Sequence, residues 1–167
     1  MAGSLSLLIA LASVVAAAPG SRTVQILDNC DPASFNAVLG PGACVRDGGG
    51  MTFDRLIEQL LRKGDVASWR FAPEQLKLAA GGTIKAINRG GEFHTFTEVA
   101  QFGGGCVPEL NELLGLTPVP ECAQAPGIFG ATGVAQGASI QAGPLAEGTR
   151  YFMCLIHPWQ QTTVNVR

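Results

Sequence analysis

The sequence predicts an all-β protein, a sandwich or barrel with short helices inserted between its strands. Two observations carry that prediction. Short runs rich in β-branched and aromatic residues recur along the chain, and 22 glycines and 10 prolines punctuate its 167 residues as turn formers between them. A third observation sets the scale: 47% of residues are hydrophobic and 14% charged, and a chain of this length can bury that surface in one core. The formal net charge of −2 leaves no electrostatic footprint for nucleic acid. No basic amphipathic stretch suits a membrane surface either.

The first twenty residues stand apart. Ser4 to Ala18 is an uncharged apolar run followed by Pro19-Gly20. It is short for a bilayer span and ends in small residues, as the apolar region and cleavage site of a secretory signal do. A basic stretch before the run is missing, which leaves an uncleaved anchor as the alternative. The expectation is a signal over 1–20, a single domain over 21–167, and export to the periplasm or the extracellular space. No second apolar run follows, so no membrane span is expected after signal removal.

Along the domain, Arg22 to Leu27 alternates and is bounded by Asn29 and Pro32, as a strand is. Cys30 and Cys44 then flank a Pro- and Gly-containing excursion. Phe53, Leu56, Ile57, Leu60 and Leu61 fall at helical spacing. Thr52 can cap that helix and Gly64 can end it, with Asp54 and Arg62-Lys63 at the favoured ends of the dipole. The stripe is core-facing and marks no cofactor site. Ser68–Phe71, Gln75–Leu78 and Thr83–Ile87 read as short strands parted by Pro73 and Gly81-Gly82. His94–Val99, Ala138–Gln141, Arg150–Cys154 and Thr162–Val166 read as later ones. Between them Cys106 and Cys122 flank a second excursion, with a short helix from Pro108 to Leu114 stopped by Gly115.

Five cysteines make two pairs and leave one. In an oxidising compartment, Cys30 with Cys44 and Cys106 with Cys122 would each close a loop of about 15 residues, worth roughly 3 kcal/mol in the chain-entropy model. Four cysteines allow three connectivities, so nearest-neighbour pairing is a preference. The residue left over is Cys154, in Tyr151-Phe-Met-Cys-Leu-Ile-His-Pro-Trp-Gln160. The chain has two histidines, His94 and His157. If separate strands bring both to Cys154, they form the His₂Cys set of a blue-copper site, where thiolate suits Cu(I) and imidazole serves both oxidation states. Zinc accepts the same ligands. A cysteine nucleophile with a histidine base is a further reading, but Glu92 is the one carboxylate that stands out as an orienter and no oxyanion motif is present.

Cys154-Leu-Ile-His-Pro-Trp-Gln160 resembles the C-terminal ligand loop of the cupredoxins, most of all the short amicyanin loop Cys-x-x-His-Pro-Phe-Met. Asn88-Arg-Gly-Gly-Glu-Phe-His94 resembles the segment ending in the first histidine ligand of plastocyanin-like members. The strand order fits from about residue 66 onward, with insertions at about 28–64 and 103–130. The resemblance implies a cupredoxin-like Greek-key β-sandwich, and no enzyme activity is expected, since two histidines cannot supply the further copper centres of an oxidase. It implies one copper per chain, held by His94, Cys154 and His157 and shuttling one electron. The axial methionine of that loop falls at Gln160, as in stellacyanin-type cupredoxins, with Gln161 next door as the rival. Thr95 stands where plastocyanin-like proteins often have asparagine. A redox protein partner is expected to dock on an apolar face around the exposed edge of His157, with Pro158 and Trp159. The alternative is a non-redox copper carrier, or a β-sandwich that binds no metal.

Overall fold

The structure, a computed structural model, describes residues 19–167. The expected signal over 1–20 lies outside the described residues apart from Pro19 and Gly20. No helix among the described residues is long and apolar enough to cross a membrane.

Ten strands make up the framework of the described residues. They are β1 (Ser21–Leu27), β2 (Arg70–Ala72), β3 (Gln75–Leu78), β4 (Thr83–Asn88), β5 (His94–Thr95), β6 (Thr97–Val99), β7 (Gly133–Val134), β8 (Ser139–Ala142), β9 (Gly148–Met153) and β10 (Gln161–Val166). One four-stranded sheet runs β2-β1-β4-β8 and a second runs β3-β10-β9-β6, with β5 and β7 as a separate pair. Strand alternation decides what faces inward. Val24 and Ile26 of β1, Ile84 and Ala86 of β4, and Val164 and Val166 of β10 are all buried in one core with Phe71, Phe96 and Phe152. Phe96 stacks on Phe152 with centroids 4.6 Å apart and lies 5.3 Å from Phe71.

His94–Val99, expected as one strand, is broken at Phe96. His94 and Thr95 pair with β7, whereas Thr97 to Val99 pair with β9. The reason is that four consecutive residues, His94 to Thr97, are buried, which a single half-exposed strand cannot achieve. Changing partners at Phe96 buries that ring and turns His94 toward the end of the sandwich.

Among the described residues, four α-helices lie in the connections: α1 (Pro32–Leu39), α2 (Phe53–Lys63), α3 (Pro108–Leu114) and α4 (Gly127–Thr132). Asp31 caps α1 by accepting from the Ser34 N–H at 2.9 Å, and Pro32 occupies its first turn. Thr52 caps α2, and Gly64 ends it in the left-handed conformation at φ 73°. Residues 28–64 hold α1 and α2, and 103–130 hold α3 and a 3₁₀ turn over Pro120–Gln124. Cys30 is bonded to Cys44 and Cys106 to Cys122, leaving Cys154 as the free, buried cysteine. The helices shelter a second core in which Trp69, Phe35, Leu56 and Leu60 are buried, with Trp159 packed against it.

Candidate metal centre

Two chain segments supply the cluster. β9 delivers Cys154 just past its last residue, and a seven-residue loop leads to β10, where Met153 faces Gln161. The loop closes on itself: the Cys154 N–H donates to the Gln160 carbonyl at 3.0 Å, and the Gln160 N–H to the His157 carbonyl at 2.9 Å. β5 delivers His94 from across the fold. Thr95 ties the two segments together, because its hydroxyl accepts from the Leu155 N–H at 2.7 Å and its own N–H points to Cys154 Sγ at 3.4 Å. The threonine that departs from the resembled pattern therefore serves as a cross-link.

His94 Nδ1 and His157 Nδ1 are 3.2 Å apart, and each lies 3.8 Å from Cys154 Sγ. A point equidistant from the corners of such a triangle lies about 2.1 Å from each, within the range of metal–nitrogen and metal–sulfur bonds. Two imidazoles and one thiolate thus converge at bonding distance for a single ion, and the donor set fits copper or zinc. The three are buried, with His157 retaining 5% exposure.

Electrostatics favour the thiolate of Cys154, whereas His94 is held protonated and would release a proton to a metal. Burial pushes the Cys154 thiol up, but hydrogen bonding and charge from His157 and His94 outweigh it and bring the thiol well below its ordinary range. Burial likewise pushes His94 down, yet the bonds to Asp28 and Cys154 prevail and raise it to about 10. Asp28 Oδ2 sits 2.8 Å from His94 Nε2. Its carboxylate also accepts from the Gly91 N–H at 2.9 Å and the Glu92 N–H at 3.0 Å. These groups overcome the upward push of burial and hold Asp28 well below the usual carboxylate range. A carboxylate on the outer nitrogen leaves the inner one, Nδ1, to face a metal, and raises its basicity.

Glu92 stands behind the other histidine. Its Oε2 accepts from the Trp69 Nε1–H at 2.5 Å and lies 3.7 Å from His157 Nε2. Burial drives Glu92 upward, opposed by His157 and by the indole bond. Asn88 organises the segment between them: its amide donates to the Glu92 carbonyl at 2.7 Å and to the Val134 carbonyl at 2.9 Å.

Gln160 and Gln161 are differently placed. The Gln160 amide nitrogen donates to the Leu27 carbonyl at 2.8 Å, which identifies the other terminal atom as oxygen. That oxygen, Oε1, is buried and has no hydrogen-bond partner, and an orphaned buried acceptor is costly. Gln161 instead donates its amide to the Pro158 carbonyl at 2.7 Å and is half-buried.

Of the residues expected at the site, His94, Cys154 and His157 come together. The four remaining cysteines form the two pairs. One expectation changes. His157 keeps only 5% exposure, because side chains of α1, α2 and α3 stand beside it and Pro158 is buried. A carboxylate that sequence reasoning did not single out, Asp28, is bound to the first histidine. It was missed because it lies 66 residues from His94 at the start of a stretch expected as an insertion. The signal present was a lone aspartate directly after an alternating strand.

No family model matches the chain, and no curated protein sequence matches it. Solved structures similar to it include cupredoxins. One is a purple cupredoxin from Nitrosopumilus maritimus, at 16% identity over 61% of this chain and 86% of that one, with a TM-score of 0.39. Another is a reduced amicyanin mutant, at 20% identity over 62% and 78%, TM-score 0.39. A third is the oxidised plastocyanin of Dryopteris crassirhizoma, at 19% identity over 59% and 89%, TM-score 0.39. At these TM-scores the likeness carries no functional weight, and the centre rests on its own geometry.

Proposed function

We propose that this chain is a mononuclear type 1 copper protein, a one-electron carrier on a cupredoxin-like Greek-key sandwich, exported to the periplasm or beyond. His94, Cys154 and His157 would hold one copper per chain, and Gln160 would supply a weak axial contact. The observation that carries this reading is the triangle of two Nδ1 atoms and one Sγ with edges of 3.2, 3.8 and 3.8 Å. The orphaned Gln160 Oε1 supports the fourth contact. Bound copper supplies a one-electron couple. The chain's own part is to keep water from the thiolate, to fix His94 through Asp28, and to soften the sulfur with the Thr95 N–H.

Burial of all three ligands favours retention of the metal over its delivery, since transfer to another protein needs a ligand face that can be reached. A redox partner would approach on the His157 side, by Pro158 and Trp159, and would meet side chains of α1 to α3 there. The test is a copper titration of the protein followed by optical and paramagnetic resonance spectra. One equivalent should give an intense thiolate charge-transfer band, and Cys154→Ser should lose it while the near-ultraviolet dichroism of the fold persists. Colour that survives Cys154→Ser removes the thiolate from the site. A colourless stoichiometric complex would replace electron transfer by the zinc or carrier reading, and no uptake at all would leave a sandwich that binds no metal.

A further inference from the structure

The helices beside His157 do not close on one another. Between α1, α2 and α3 lies a cleft of about 540 Å³, within the roughly 300–1,000 Å³ of small-molecule sites. Phe53, Ile57, Leu110 and Leu113 line it and remain only half-buried, Phe35 and Leu56 are buried beneath them, and the buried polar liners are Glu92 and His157. Water in such a recess would find few hydrogen-bond partners.

Glu92 sets the chemistry of the buried end. Its Oε2 is engaged by the Trp69 indole and approached by His157. Its Oε1 accepts no hydrogen bond from the described residues, and Glu92 itself is 6% exposed. An apolar recess ending in one free carboxylate oxygen matches a neutral, mostly apolar molecule with a single hydrogen-bond donor. From this geometry we infer a binding site for small phenol-type compounds: an aromatic body against Phe53, Ile57 and the leucines, and a hydroxyl donating to Glu92 beside His157. Binding there does not depend on copper, so the inference stands apart from the function proposed above.

Calorimetry and methyl NMR on the full chain, with 2-naphthol as probe and naphthalene as control, test it. One 2-naphthol per chain should bind, with shifts concentrated on the Ile57, Leu110, Leu113 and Ile156 methyls. Naphthalene should bind about tenfold more weakly or worse, the loss of one hydrogen bond to a carboxylate. Leu113→Trp, which fills the recess, should abolish binding while distant resonances stay put. If that variant does not fold, Leu110→Phe serves the same purpose. Equal affinity for naphthalene, shifts elsewhere, or binding that survives the filled recess would overturn the assignment. So would failure to saturate up to the solubility limit, which would leave the cleft to a side chain of a protein partner. A copper titration of the same samples separates the two ideas. Naphthol binding without copper uptake sinks only the metal reading, and copper uptake without naphthol binding sinks only this one.

Discussion

Asp28 Oδ2 lies 2.8 Å from His94 Nε2 with both side chains fully buried, so the first histidine is anchored to a carboxylate on the side away from the cluster. The negative charge favours Cu(II) over Cu(I). Asp28→Asn should therefore raise the reduction potential, on the order of 60 mV for a tenfold change in the redox equilibrium. It should also weaken metal affinity by about 10- to 100-fold. Voltammetry and competitive chelation read the two effects, and an unchanged potential would show that Asp28 does not act on the metal.

Acid should expose the same pair in the metal-free protein. Asp28 is held below its ordinary value of 3.8, so its contribution to stability is present above that pH and is lost as pH falls through the depressed folded value. Denaturant unfolding between pH 5 and pH 2 (roughly the window in which unfolded carboxylates protonate) should show a steep decline. Asp28→Asn should flatten it. Parallel curves for the two proteins would contradict the assignment.

Gly90 tests the anchor without touching a ligand. A Cβ there would run into the Asp28 carboxylate, so Gly90→Ala must displace one or the other. An overpacking cost of about 1–3 kcal/mol is expected, along with faster loss of copper to a chelator. Wild-type stability and retention would mean that the segment from Asn88 to His94 can yield.

Gln160 and Gln161 separate by voltammetry. An amide oxygen favours Cu(II) more than a thioether does, so Gln160→Met should raise the potential. Gln161→Met should leave it in place, because the Gln161 amide is already bonded to Pro158. A shift in the second variant alone would transfer the axial role to Gln161.

The Cys30–Cys44 bond reaches the centre through the backbone. The Cys30 N–H faces Asp28 Oδ1 at 3.2 Å, and the Val45 N–H donates to the Gly91 carbonyl at 2.7 Å. Replacing both cysteines by alanine should cost about 3 kcal/mol and shift the potential as well. Loss of Cys106–Cys122 should cost a similar amount. A peptide map of the non-reduced protein should find Cys154 in neither pair.

Local chemistry was readable where one stretch carries its own signal. The α2 helix begins after Thr52 and ends before Gly64 as its periodicity indicates, and α3 runs from Pro108 to Leu114. Helix α1 was missed although Asp31-Pro32 is a start signal, because the flanking cysteines and later glycines read as a loop. The break at Phe96 and the Asp28–His94 pair depend on which distant strands become neighbours. Alternation within a strand does not state that. The cluster of His94, Cys154 and His157 was legible because the odd cysteine and both histidines are the scarce residues of the chain. The shelter over His157 was not, since the amphipathic pattern of α2 says that a face is buried without saying against what.

The hairpin that carries three of the four proposed ligands also separates chemistry from architecture. Its ladder pairs Met153 with Gln161 and continues to Gly148 opposite Val166, while the residues between are held by their own hydrogen bond from Cys154 to Gln160. Register belongs to the strands, and ligand choice belongs to the segment they bracket. That segment is a cassette: a change of its composition between Met153 and Gln161 should leave the ladder on either side in register.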